Sequence, residues 1–175
     1  MFAAHLAAGL AAKSADAKVP AWATLTGAFL PDLIWIGLSA VGVEQANDTV
    51  FFDGWSHSVV SIGLQAMLFP LLFYRLGRPA MLWIGAAVLS HLLLDGPIHP
   101  MPLELWPHSG LTLANPTWAW GQAPFALGKS NYWWIQLVIT LLLLGVYWIK
   151  ETRRGQAVGL VAASCLIVLW AHLVF

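Results

Sequence analysis

The chain has 175 residues, 59% of them hydrophobic and only 9% charged, with eight Lys/Arg balanced by eight Asp/Glu. A soluble domain carries about 25% charged residues, so this composition excludes an ordinary water-facing surface and a disordered chain. With no net charge to attract a polyanion it also excludes a nucleic-acid binder of the basic-patch kind. The lone cysteine, Cys165, excludes an internal disulfide and a cysteine-built zinc site, and reads as packing. The mean hydropathy of +0.74 points to an all-α integral membrane protein, a single domain over residues 1–175, with the lipid bilayer as its principal partner.

In chain order, residues 1–17 predict a short helix, apolar over Met1–Ala12. At 1.5 Å per residue that run is about 18 Å long, too short to cross alone, and is expected to be a half-inserted or interfacial helix packed on the others. Ala15-Asp16-Ala17 resembles a cleavage site, but no positive charge precedes the apolar run, so a signal peptide is not expected. About 20 apolar residues make a crossing. Pro20–Val43, Ser56–Leu76, Tyr132–Lys150 and Gln156–Phe175 meet that test, and Pro79–Asp95 is a shorter fifth span. The expected architecture is thus a bundle of about five transmembrane helices plus the short N-terminal one.

Seven of the eight basic residues (Lys13, Lys18, Arg75, Arg78, Lys150, Arg153 and Arg154) fall between spans on one side of this arrangement, which the positive-inside rule assigns to the cytoplasm. The other side receives Glu44, Asp48, Asp53, Glu104 and the long loop Gly96–Asn131, which holds six of the ten prolines. Proline forbids a long helix there. Its tryptophans argue for folding across the outer face, where Trp55, Trp106, Trp118, Trp120, Trp133 and Trp134 are expected to form an interfacial belt.

Ionisable groups in a span are functional candidates by default. Asp32 follows Pro31, which is expected to kink its helix. His91 and Asp95 lie four apart, hence on one helix face. His57 opens the second span and His5 sits in the N-terminal helix; His172, in the last span, reads as interfacial. Imidazole and carboxylate together suit zinc, and also manganese or iron. A cation would offset the desolvation of two carboxylates. The expected metal ligands are therefore His5, Asp32, His57, His91 and Asp95, with Asp53, His99 and His108 as candidate catalytic groups moving protons.

The order His5, Leu30-Pro31-Asp32, Trp55-Ser56-His57-Ser58, His91-Leu92-Leu93-Leu94-Asp95 and Trp106-Pro107-His108-Ser109 resembles the YdjM-like family of inner-membrane metal-dependent hydrolases. The resemblance runs from His5 to about Ser109. Many members carry a second aspartate where this chain has Ile34, and His-Arg-Gly where it has Phe52-Asp53-Gly54. The ligand order is more distantly similar to zinc-dependent phospholipase C and its nuclease relatives, which implies phosphoester hydrolysis.

The expected function is a metal-dependent hydrolase of the bacterial inner membrane, its site facing the non-cytoplasmic side. A site at that depth would meet a lipid or lipid-linked phosphoester. A scaffold protein using the Pro/Trp loop, or an ion or proton transporter, are the alternatives.

Overall fold

Apolar, helix-favouring runs become helices almost throughout the computed structural model. It describes residues 2–46, 51–95, 103–112 and 129–174, the side chains at 2, 45–46, 51–52, 129–133 and 174 excepted. Helix α1 spans Phe2–Lys13, α2 Ala21–Ala28 and α3 Leu30–Ala40. A two-residue antiparallel pairing of β1 (Gln45–Ala46) with β2 (Phe51–Phe52) leads to the single turn α4 (Gly54–His57). Then come α5 (Val59–Leu68), a 3-10 segment (Phe69–Leu76), α6 (Arg78–Asp95), α7 (Lys129–Arg153) and α8 (Val158–Val174).

Among the described residues two stretches, Val59–Leu76 and Trp134–Arg153, are long and apolar enough to cross a membrane, and α2 with α3 forms a third if that bent pair is one span. Large apolar side chains such as Met67, Leu72, Leu82, Leu142, Leu166 and Leu173 point outward, which suits lipid rather than water.

The expected span 20–43 is broken. Phe29 leaves helical geometry (φ −103°, ψ 2°), and α3 departs from α2 at 58°. The break precedes Pro31 because proline fits the first turn of a new helix, where its missing N–H costs nothing. The span 56–76 is likewise composite. Ser58 is extended (ψ 155°) and caps α5, accepting from the Ser61 amide.

The short N-terminal helix is packed on the others, as expected. Ala3, Ala4, Ala7, Ala8 and Leu10 are buried, and α1 packs against α2, α6, α7 and α8. Its alanines and Gly9 let neighbours approach closely: a Cβ on Gly9 would lie 3.0 Å from Leu25 Cα. One core unites Ala3, Ala7 and Leu10 with Leu144, Tyr147, Val161 and Val168, with Cys165 packed at its edge. A second joins Val19, Ala23, Phe73, Ala80 and Ile84. His172 is buried in α8.

Two features orient α1. Its C-terminal Lys13 approaches Glu151, which also pairs with Arg154, so the basic residues flanking α1 and α7 share one end of the molecule. His5, two turns back, reaches the other end, beside Asp95 at the end of α6. Of the long loop, residues 103–112 form a turn that covers the start of α5. Glu104 and Leu105 carbonyls accept the Val59 and Val60 amides, each at 3.0 Å, which satisfies donors that a helix start leaves open.

Candidate metal centre

The site is assembled where α1, α4 and α6 meet the break between α2 and α3. On α6 the four-residue spacing does what helical geometry requires: His91 Nε2 lies 3.2 Å from Asp95 Oδ2. From α1, His5 Nε2 approaches the other oxygen, Asp95 Oδ1, at 3.1 Å. Asp32 enters on the first turn of α3, its Oδ1 3.3 Å from His57 Nε2 and 3.7 Å from His91 Nε2. His5 and His91 stack, and the His57 ring lies 5.1 Å from the His91 ring.

All five side chains read from the sequence as ligands therefore converge. Two ligand groups form, His5–Asp32–His91 and His57–His91–Asp95, each with one nitrogen or oxygen per residue within 4.8 Å of the others. Four of the five residues are buried, while Asp32 keeps 36% of its side chain exposed and forms the open side. Ligands about 2.0–2.2 Å from one tetrahedral zinc stand roughly 3.3–3.6 Å apart. The four nitrogen–oxygen separations here, 3.1, 3.2, 3.3 and 3.7 Å, fall around that range.

The hydrogen-bond directions make the donor set chemically specific. His91 Nδ1 lies 2.8 Å from the Ala28 carbonyl oxygen, an acceptor only, so Nδ1 carries the proton. In a neutral ring the Nε2 lone pair then faces two carboxylates. That nitrogen is buried and makes no aligned hydrogen bond among the described residues. A lone pair aimed at anionic oxygens is repulsive unless a proton or a cation lies between them. Protonating every ring is opposed by the His5–His91 stack, since two imidazolium rings in face-to-face contact repel. A divalent cation in either ligand group would sit between donors that otherwise oppose one another, and the residues present fit one.

The candidate proton-moving residues are placed differently. Asp53 is buried at the start of α4 and belongs to neither ligand group; its backbone carbonyl receives the Ser56 and His57 amides at 3.1 and 2.8 Å. His108 is exposed on the 103–112 turn, in the left-handed region (φ 58°), its ring edge-on to Trp55 at 6.1 Å. His99 lies outside the described residues, as do Trp118 and Trp120, while Trp55, Trp106 and Trp134 are exposed.

The supporting contacts were not visible in the sequence. The Ala28 carbonyl and the buried Glu44, which receives Ser56, have no motif. The only linear hint was a serine preceding His57.

No family model, no curated protein and no solved structure matches this chain.

Proposed function

We propose that this chain is a membrane-embedded, metal-dependent hydrolase acting on a lipid or lipid-linked phosphoester, related to the YdjM-like family, with five helical crossings and its site on the non-cytoplasmic side of a bacterial inner membrane. The observation that carries the reading is His91 Nε2, without an aligned hydrogen bond among the described residues and set between the carboxylates of Asp95 and Asp32. His5, Asp32, His57, His91 and Asp95 would hold the ion, zinc by preference, with manganese or iron also compatible with nitrogen and carboxylate donors. Such an ion supplies Lewis acidity toward water and a phosphoryl oxygen.

The chain's own residues supply orientation and access. His91 is held by Ala28, and Asp95 is shared between two imidazoles. Asp32, the most exposed member, is the side chain a substrate would meet first. It also lines an apolar groove of about 650 Å³ with Leu6, Leu25, Thr26, Phe29, Trp35 and Ile36 among the other walls. That size is within the range of about 300–1,000 Å³ for small-molecule sites, and an apolar lining beside a polar centre suits a hydrocarbon chain attached to a polar ester. Asp53 and His108, on the segments next to His57, and His99 are the groups proposed to carry protons to and from water.

The test is to purify the protein without chelators, measure bound metals, and assay release of phosphorylated headgroup from phospholipid in mixed micelles. Zinc, manganese or iron near one or more per chain, with activity lost in Asp95→Asn, is the expected result. Metal-free protein that also takes up none on titration would overturn the reading.

A further inference from the structure

A buried carboxylate outside the ligand set is joined to it through one hydroxyl. Glu44 is 1% exposed, and its Oε1 accepts the Ser56 amide at 2.8 Å while its Oε2 accepts the Ser56 hydroxyl at 2.8 Å. The same hydroxyl lies 2.7 Å from His57 Nδ1 and 3.1 Å from the Asp53 carbonyl oxygen. Ser56 has a single hydroxyl proton. An ionised Glu44 is an acceptor only, and a charged acceptor draws that proton more strongly than a neutral carbonyl. With the proton committed to Glu44, the Ser56 oxygen can only accept from His57, so Nδ1 must carry hydrogen. The neutral ring then presents an unprotonated Nε2, which is the atom 3.3 Å from Asp32 Oδ1.

We infer that Glu44 and Ser56 are positioning residues that order the protons around His57, holding its ring in the tautomer that offers Nε2 to a cation. The inference rests on the metal-site reading, because an unprotonated Nε2 beside the Asp32 carboxylate needs a cation between them; the proton on Nδ1 is read separately from metal uptake. The bonding runs in one direction from a carboxylate through a hydroxyl to an imidazole, the arrangement by which outer groups orient histidine ligands. Ser56 is fully buried, and Gln65 Nε2 donates to its carbonyl oxygen at 2.8 Å, so the link is held from both sides. His91 achieves the same tautomer by another route, through the Ala28 carbonyl.

The critical variant is Glu44→Gln, which keeps the shape and reverses the polarity at one atom. The amide oxygen still accepts the Ser56 N–H, but the amide NH2 donates to the Ser56 oxygen, which frees the hydroxyl proton to turn toward His57 Nδ1. Histidine labelled with 15N in detergent-solubilised protein, at a pH where the ring is neutral, reports the tautomer directly. The wild type is expected to show His57 protonated at Nδ1, and the variant to shift it toward Nε2. Zinc affinity, read by competition with a chromophoric chelator, is expected to fall about 10- to 100-fold, as loss of an outer-shell partner typically does. In a His57→Ala background the same Glu44→Gln change should cost nothing further, whereas a general structural role would cost as much there.

An unchanged His57 tautomer in Glu44→Gln overturns the relay, as does an equal loss of zinc affinity with and without His57. If wild-type protein takes up no zinc, the functional reading fails, and the 15N spectra alone decide the relay.

Discussion

His91 donates its Nδ1 proton to the carbonyl oxygen of Ala28, 2.8 Å away, at the point where α2 breaks into α3. The last carbonyls of a helix lack onward amide partners, so the break provides an acceptor and the imidazole takes it. One bond thus satisfies a helix end, fixes a tautomer and locks α6 against α2. The neighbouring contact is equally close, since a Cβ on Gly27 would lie 3.3 Å from the Ile84 carbonyl oxygen. The bend also turns Asp32 inward, toward His57 and His91.

Metal binding should appear as thermal stabilisation. An ion at a thousand-fold excess over its Kd adds about 4 kcal/mol, so zinc is expected to raise the Tm of chelator-treated protein. Asp95→Asn should abolish that shift. A zinc-dependent shift that survives in Asp95→Asn would place the ion elsewhere.

Gly85 and Gly63 sit on neighbouring helices and should respond oppositely to alanine. A Cβ on Gly85 would lie 2.9 Å from the Ala66 carbonyl oxygen, so α5 and α6 must separate, at a cost of about 1–3 kcal/mol. Nothing lies within 4 Å of a Cβ on Gly63, where alanine should be neutral or stabilise by up to about 1 kcal/mol through helix propensity. Denaturation of the two variants in the same detergent makes the comparison.

Ser58→Ala removes the cap of α5, in which Ser58 Oγ accepts the Ser61 amide at 3.3 Å and donates to Ser61 Oγ at 2.7 Å. A loss of about 1 kcal/mol is expected. Ser58→Asp should restore most of it, since aspartate caps well and its charge suits a helix start. Chemical denaturation of both variants supplies the measurement.

At the opposite end, Glu151 is buried and takes Arg154 Nη1 at 2.8 Å, with Lys13 Nζ at 3.9 Å. Glu151→Gln should weaken the Arg154 hydrogen bond at the end of α7 by about 1.5–3 kcal/mol, the worth of a hydrogen bond to a charged group, and the longer Lys13 contact from α1 by less. Zinc affinity should stay unchanged, because His5 lies two turns away along α1. A joint loss of stability and zinc affinity would show that the two ends of α1 are coupled.

The groove makes a separate prediction. Ile36→Trp should narrow it and slow hydrolysis of long-chain phospholipid, with little effect on a short-chain, water-soluble analogue and none on bound metal. Equal loss on both substrates would remove the groove from substrate binding.

Periodicity and composition alone were enough for the helical class, for the shared face of His91 and Asp95, and for a discontinuity near Pro31, because each depends on neighbours within a turn or two. The five candidate ligands could be picked out on the cost of burying ionisable groups in apolar helices. Tertiary structure decided the rest. It set which helices α1 packs against, placed the break at Phe29, joined Ala28 to His91 and drew Glu44 onto Ser56. Such pairings depend on the depth at which one helix docks on the next. That depth is set by close contacts at Gly9, Gly27 and Gly85 between residues far apart in the chain, and no local pattern records it.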